Sequence, residues 1–375
     1  MKIYCLLFDT FPRHPEMENL FKTKNLHYGD YLCQTCTVTT LVSMFSGKTP
    51  SEMRSTGIGH SHTYALLSKE EQKEWDKKII FNMLPDDWKI HLHAMPRTRG
   101  DDNSIPTCWP MYSNPNTTPG LRDCKLLPDD ICGRDRDFIF YDYQEGDDEK
   151  NFIKKMQDLP SDENHFIVLK YNHYHDMERG KHDDVFALFK NIINQIDFEE
   201  ENSLFWLFAD HGEPEGINEF HSPPDSWLSW VSVTDNITNK KITKNKISSL
   251  DFKNTILNRI FNKNLPNDVL SDLDMDRIYV TEDSRGKINE YHCTTASAVK
   301  CLDDKKYKQY TIHNAGAPHK NYDNIKEISR IYDGGKSGTS GYMGITNREA
   351  EIVNTHEDLK SHLKNGIWKW YFNND

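Results

Sequence analysis

The chain lacks any apolar run that approaches the ~18 residues needed to cross a membrane. Its first apolar segment starts at Lys2 and reaches Asp9 without the small-residue cleavage site of a secretory leader. We therefore expect a cytoplasmic protein without a transmembrane segment. The alternative is that a leader precedes the given chain.

Positive charge is also scarce, because 46 Lys and Arg residues stand against 58 Asp and Glu residues and the formal net charge is -12. Binding to nucleic acid depends on clustered Lys and Arg side chains that contact phosphates. Nucleic acid is therefore not expected as the main partner of this chain.

A zinc ribbon is excluded by the spacing of the eight cysteines. Cys33 and Cys36 form one C-x-x-C pair, but a ribbon needs a second such pair and the chain has none. This leaves two interpretations: a redox pair, or small apolar residues that lead into the next element.

What the chain does contain is an alternation of short apolar strands with helical stripes, without an internal repeat. This order predicts an α/β fold, with a mostly parallel central sheet and helices on both faces. The predicted strands cover residues 2–8, 137–141, 165–171, 203–209 and 227–233. One predicted helix begins at Thr37, and three others cover 152–159, 183–196 and 252–261.

Two regions depart from this texture. Residues 95–135 are rich in Pro, Gly, Asn and Asp and predict a long irregular insertion. After about residue 270 the chain shows short alternating strands at 277–280, 290–293 and 307–312, and two further tail segments, 358–363 and 367–372. We therefore expect a main α/β domain over 1–268, which contains the insertion, and a smaller C-terminal lobe with antiparallel strands over 269–375.

Two of the predicted strands end in potential metal ligands. The first runs into Asp9, and the strand from Ser203 runs into Asp210 and His211. Ligands of open α/β sheets bind outside the carboxyl ends of the strands. The two strand ends are therefore placed to share a metal ion; the alternative for Asp210 and His211 is a solvated loop.

Thr37 opens a helix whose apolar residues, Val38, Leu41, Val42 and Phe45, predict one buried face. Gly47 stands where a left-handed C-cap is expected, and Pro50 prevents the helix from continuing. The free N–H groups and the positive dipole at such a helix start can hold an anionic ester. Thr37 is therefore a candidate nucleophile, or else an ordinary helix N-cap.

Together these segments resemble the alkaline phosphatase/sulfatase superfamily. In sulfatases the nucleophile opens a C-x-P-S-R motif, and a T-G pair closes its helix ten residues later. Here Gly47 follows Thr37 by ten residues, which places Thr37 rather than Cys36 at the nucleophile position. Thr39 and Leu41 replace the Pro and Arg of the sulfatase motif, so the resemblance is to the phosphatase and transferase branches.

The run Asp210-His211-Gly212-Glu213 is similar to the D-H-G-E signature of that superfamily. The resemblance implies that Asp9, Thr37, Asp210 and His211 surround one divalent ion, Zn or Mn. It also implies that His175 and His221 hold a second ion or contact the phosphoryl group. His173 and Asp176 are further candidates beside the substrate, against the alternative of a solvated polar turn.

The resemblance implies a metal-dependent hydrolase or transferase of phosphate esters that works through a covalent phosphothreonine. The alternatives are a sulfuric ester hydrolase and a non-catalytic binding protein that has kept the fold. His91 and His93 lie on one face of a possible strand, and we interpret them as structural or pocket-lining.

Overall fold

The computed structural model describes the residues that build two sheets and the helices beside them. The described residues are 1–8, 11, 16–34, 37–53, 70, 74, 77–94, 138–142, 149–171, 182–211, 228–270, 277–284, 293–302, 306–314, 325–333, 350–352 and 357–365. The predicted insertion at 95–135 and the tail segment 367–372 lie outside this set.

An eight-stranded sheet forms the centre of the molecule, in the order β4-β3-β5-β1-β6-β7-β2-β8. Its strands are β1 (Lys2–Phe8), β2 (Gly29–Leu32), β3 (Trp88–Ala94), β4 (Phe138–Asp142), β5 (Asn164–Tyr171), β6 (Ser203–Phe208), β7 (Leu228–Asp235) and β8 (Lys246–Ser248). Every neighbouring pair is parallel except the two pairs that involve β7, which runs against both β6 and β2. The predicted mostly parallel sheet is confirmed, and β7 is its one reversed strand.

Both faces of this sheet are covered, because the strands at its centre are apolar at consecutive positions. All seven side chains of β1 are buried. Ile3, Cys5 and Leu7 belong to the apolar cluster on one face, while Tyr4 and Phe8 belong to the cluster on the other. Such two-sided burial is what a parallel sheet between helical layers requires.

Helices form the two outer layers. They are α1 (Met17–Thr23), α2 (Thr37–Ser46), α3 (Pro50–Met53), a 3-10 helix (Ile80–Met83), α4 (Glu149–Gln157), α5 (His182–Gln195) and α6 (Asp251–Phe261). The buried residues of α2 and α6 join the cluster that contains Ile3, and those of α1, α4 and α5 join the cluster that contains Tyr4. The predicted helices on both faces are therefore confirmed.

A second, five-stranded sheet follows, with all neighbouring strands antiparallel in the order β13-β12-β11-β10-β9. Its elements are β9 (Ile278–Ser284), β10 (Cys293–Cys301), β11 (Lys306–Asn314), β12 (Ile325–Asp333), β13 (Ala350–Ile352) and helix α7 (Glu357–Asn365). The predicted antiparallel strands after residue 270 are confirmed as a class, although the predicted strand at 290–293 only meets the start of β10. The domain boundary at residue 268 stays a prediction.

The two sheets meet through a small apolar cluster. Leu32 at the end of β2 and Leu228 at the start of β7 pack with Tyr279 on β9, and with Val299 and Cys301 on β10. Strand β9, an edge of the second sheet, therefore lies beside the carboxyl end of β2. None of the helices in the described part of the chain is long and apolar enough to cross a membrane.

Candidate active site

The carboxyl ends of four strands define one edge of the large sheet. Phe8 at the end of β1 is in register with Tyr171 at the end of β5, and Leu7 is in register with Phe208 at the end of β6. Strand β2 ends at Leu32 on the same side, since β7 reverses direction between β6 and β2. The residues that follow these strands therefore leave the core at one edge, as expected for a ligand site.

Asp210 and His211 leave the core at this edge, at the end of β6. Ala209 N still donates to Trp230 O at 3.2 Å, so the pairing with β7 extends one residue beyond the strand. Asp210 is fully buried, whereas the His211 side chain is 15% exposed, and Asp210 Oδ2 lies 3.6 Å from His211 Nε2. A buried carboxylate thus stands beside an imidazole that reaches solvent.

Helix α2 begins against the same strand end. Thr40, in the first turn of α2, donates its hydroxyl hydrogen to Asp210 O at 2.8 Å. The same hydroxyl oxygen accepts a hydrogen bond from Gln34 N at 3.0 Å. These two bonds fix the start of the helix that carries Thr37 to the end of β6. Thr37 is the first residue of α2. Its side chain lies outside the described set.

The polarity of α2 suits an anion at this edge. Its first turn contains no acidic residue, so no side chain of that turn offsets the positive end of the helix dipole.

At the other end of α2, Lys253 Nζ donates to Ser46 O at 3.0 Å and to Lys78 O at 2.7 Å. Burial first, and then the nearby charges of Lys48 and Lys78, lower the pKa of Lys253 to about 8.

The remaining candidate residues are not brought together by the described part of the structure. Asp9 directly follows β1, and His173, His175, Asp176 and His221 also lie outside the described residues. Among the described residues, no group of three or more His, Cys, Asp or Glu side chains could hold a metal ion. Asp210 and His211 supply two donors, an oxygen and an imidazole nitrogen, of the types that Zn and Mn accept. Both are therefore suited to a divalent ion.

Two polar residues near this edge were missed by the sequence analysis, namely Gln34 and Thr40. Both are buried, with exposures of 1% and 0%. A signal was present for Thr40, because it is a hydroxyl residue beside the apolar stripe of α2. For Gln34 the sequence holds no such signal, since the partners of its side chain lie more than 240 positions away.

His91 and His165 lie together within the sheet. His91 Nε2 is 3.0 Å from His165 Nδ1, and His165 Nε2 is 3.2 Å from Pro160 O. Burial, and then the charges of His165 and Lys89, lower the pKa of His91 to about 4. His91 is buried beside His165, and its interpretation as structural or pocket-lining stays a prediction. The side chain of His93 lies outside the described set.

No protein-family model and no curated protein sequence matches the chain. Among solved structures, the chain is similar to a protein of the alkaline phosphatase superfamily from Vibrio parahaemolyticus. The identity is 13%, the match covers 100% of this chain and 87% of the other, and the TM-score is 0.46.

Two further solved structures show a similar likeness. A phosphonate monoester hydrolase from Silicibacter pomeroyi is 10% identical over 100% of this chain and 95% of its own, with a TM-score of 0.46. A phosphoglycerol transferase from Streptococcus pyogenes, in complex with sn-glycerol-1-phosphate, is 12% identical over 71% of this chain and 76% of its own, with a TM-score of 0.39. In each of these three comparisons the identity is 13% or less and the TM-score is below 0.5.

Proposed function

We propose that the protein is a metal-dependent hydrolase or transferase of phosphate esters, with Thr37 as its nucleophile. The observation that carries this proposal is the hydrogen bond from Thr40 Oγ1 to Asp210 O. It joins the start of the helix that Thr37 opens to the strand end that presents Asp210 and His211. The proposal therefore combines the hydroxyl of Thr37 with the carboxylate of Asp210 and the imidazole of His211.

The proposed reaction has two steps at phosphorus. In the first, the Thr37 hydroxyl loses its proton and Oγ1 forms a bond to phosphorus as the bond to the ester oxygen breaks, and the departing alkoxide takes up a proton. In the second, the oxygen of water or of an acceptor alcohol loses a proton and bonds to phosphorus as the bond from phosphorus to Thr37 Oγ1 breaks, and Thr37 Oγ1 takes up a proton. The backbone N–H groups at the start of α2 would hold the phosphoryl oxygens in both steps.

The ligands proposed for a Zn or Mn ion are Asp9, Thr37, Asp210 and His211. An ion held there would supply Lewis acidity, which lowers the pKa of a hydroxyl and offsets phosphoryl charge. His175 and His221 are proposed for a second ion or for the phosphoryl oxygens. His173 and Asp176 are proposed to contact the rest of the substrate.

Substitution of Thr37 tests the nucleophile. We expect Thr37→Ala to lower kcat for an aryl phosphate ester by at least about 1000-fold, because no covalent intermediate can form. The fold should persist, since the loss of one helix cap costs only about 1 kcal/mol. Thr37→Ser is the matched control, because it keeps the hydroxyl and should retain measurable turnover.

The same assay separates the proposal from the alternatives. An aryl sulfate with the identical leaving group should react far more slowly than the phosphate, since Thr37 cannot become the formylglycine that sulfatases use. Near wild-type kcat in Thr37→Ala would exclude the mechanism. A protein that purifies without stoichiometric Zn or Mn and turns over no ester would instead be a binding protein.

A further inference from the structure

Gln34 lies in the segment between β2 and α2, and its side chain contacts the second sheet. Glu282 N donates to Gln34 Oε1 at 2.8 Å, and Gln34 Nε2 donates to Val280 O at 3.3 Å. Because an amide N–H can only donate, the bond from Glu282 settles which end of the carboxamide carries the oxygen. Gln34 is only 1% exposed, so water does not compete for these bonds.

The two backbone groups that Gln34 contacts belong to alternate residues on β9. Groups of residues i and i+2 point to the same side of a strand. The partner of β9 within its sheet is β10, and β9 is an edge strand of that sheet. The carboxamide of Gln34 therefore acts as a peptide group would on a neighbouring strand, and it continues the sheet towards β2.

The backbone of Gln34 contacts the candidate site. Gln34 N donates to Thr40 Oγ1 at 3.0 Å, and Thr40 donates to Asp210 O at 2.8 Å. One buried residue thus connects β9 with the first turn of α2 and with the end of β6. The apolar cluster of Leu32, Leu228 and Tyr279 surrounds the same junction between the sheets.

We propose that Gln34 is a positioning residue, through which strand β9 fixes the first turn of the helix that Thr37 opens. The proposal rests on the proposed function for its effect on turnover. Gln34 does not touch the reacting atoms. It holds the backbone from which Thr37 Oγ1 approaches phosphorus, so its loss lowers the rate of the chemical step more than the binding of the ester. A misplacement of about 1 Å can lower a rate about 100-fold.

Gln157 provides a matched control. Its carboxamide likewise donates to one backbone group and accepts from another: Gln157 Nε2 donates to Asp197 O at 2.9 Å, and Asp197 N donates to Gln157 Oε1 at 3.1 Å. Gln157 Nε2 also lies 3.4 Å from Glu200 Oε2. Gln157 ends α4, and Asp197 precedes β6, so this pair lies at the opposite edge of the large sheet. Replacing Gln157 removes a similar interaction far from the candidate site.

The test compares Gln34→Met with Gln157→Met, because methionine keeps the length of the side chain and removes both hydrogen bonds. We expect Gln34→Met to lower kcat for an aryl phosphate ester by about 10-fold to 100-fold with KM changed less than about twofold. Gln157→Met should keep the kcat of the wild type.

Amide hydrogen exchange supplies a measurement that does not depend on turnover. In Gln34→Met, exchange should accelerate at Glu282 and in the first turn of α2, and in Gln157→Met it should not. If the wild type hydrolyses no phosphate ester, the proposed function fails and amide exchange alone decides the role of Gln34. Unchanged kcat in Gln34→Met, or unchanged exchange at Glu282, overturns the proposal.

Discussion

Two buried carboxylates, Asp210 and Asp235, lie at opposite edges of the large sheet and have different partners. Asp235 ends β7, and its side chain accepts from Arg259 Nε at 2.6 Å, from Thr238 N at 3.1 Å and from Thr238 Oγ1 at 2.9 Å. These bonds hold the turn that follows the strand. Asp210 follows β6 at the other edge, beside the partly exposed imidazole of His211.

This difference predicts which carboxylate affects metal content. We expect Asp210→Asn and His211→Ala to lower bound Zn or Mn and phosphate-ester turnover together, because each removes a proposed ligand. Asp235→Asn is the matched control, and it should lower stability while metal content per folded protein stays unchanged. Metal is measured by elemental analysis of the purified variants; full metal content in Asp210→Asn would refute the ligand assignment.

At the scale of elements, helix α2 is held at both ends and on all sides. Every side chain from Thr39 to Ser46 is buried. Its apolar stripe predicted a single buried face, and that prediction was incomplete, because α6, α3 and the 3-10 helix also pack around α2. The helix ends at Gly47, whose φ of +66° is the left-handed conformation expected of a C-cap.

Gly47 gives a stability prediction with a built-in comparison. Gly47→Ala should lower the free energy of unfolding by about 1–2 kcal/mol, because alanine is strained at this φ. Gly47→Asn should cost less, since asparagine tolerates the left-handed region and all five described non-glycine residues with positive φ are asparagines. A Cβ at residue 47 would lie 3.3 Å from Lys253 Cδ in both variants, so the comparison isolates backbone strain.

Urea unfolding of the wild type and both variants measures the effect. If Gly47→Ala and Gly47→Asn lost equal stability, contact with Lys253 would outweigh the backbone term.

The sequence predicts which strands and helices form better than it predicts which of them lie side by side. The long apolar strands β1, β5 and β6 and the striped helices α5 and α6 follow directly from periodicity. The direction of β7 does not, because an apolar run has the same pattern in either direction. Strand β2 does not follow from periodicity either, because it has only four residues. The contact of Gln34 with β9 depends on chain folding over more than 240 positions, which no local pattern records.

His27 makes the stability of the folded protein depend on pH. Its Nε2 is 2.9 Å from Lys244 O, and Val233 N donates to its Nδ1 at 3.3 Å. The imidazole must therefore be neutral, with its hydrogen on Nε2. Burial lowers the pKa of His27 to about 4. The unfolded chain takes up this proton as the pH falls below about 6.5, whereas the folded protein does not until about 4.

The free energy of unfolding should therefore fall as the pH is lowered from about 6.5 to 4. Between pH 7 and pH 5 we expect His27 alone to account for a loss of about 2 kcal/mol. His27→Gln cannot titrate, so this variant should be less stable at pH 7 but should lose less stability on acidification. Urea titrations at both pH values provide the measurement, and an equal acid-induced loss in the variant would contradict the assignment.

For the candidate site, the sequence shows which candidate residues follow strands. It does not show which residues contact them. Asp9, Thr37 and Asp210 all follow strands, and parallel strands present their ends at one edge. The proposed roles of His173, His175, Asp176 and His221 rest on the resemblance alone. Thr40, which connects α2 with β6, was missed because the sequence does not show which distant group a buried helix hydroxyl will contact.

The reversed direction of β7 has a consequence for protein engineering. Since β6 and β7 are antiparallel neighbours, the connection from 209 to 227 starts and finishes at the same edge of the sheet. Lengthening such a connection costs little chain entropy, about 0.6 kcal/mol for each doubling. Insertions between His221 and β7 should therefore be tolerated at little cost in stability, whereas an exchange of the whole segment would also remove the proposed contact of His221.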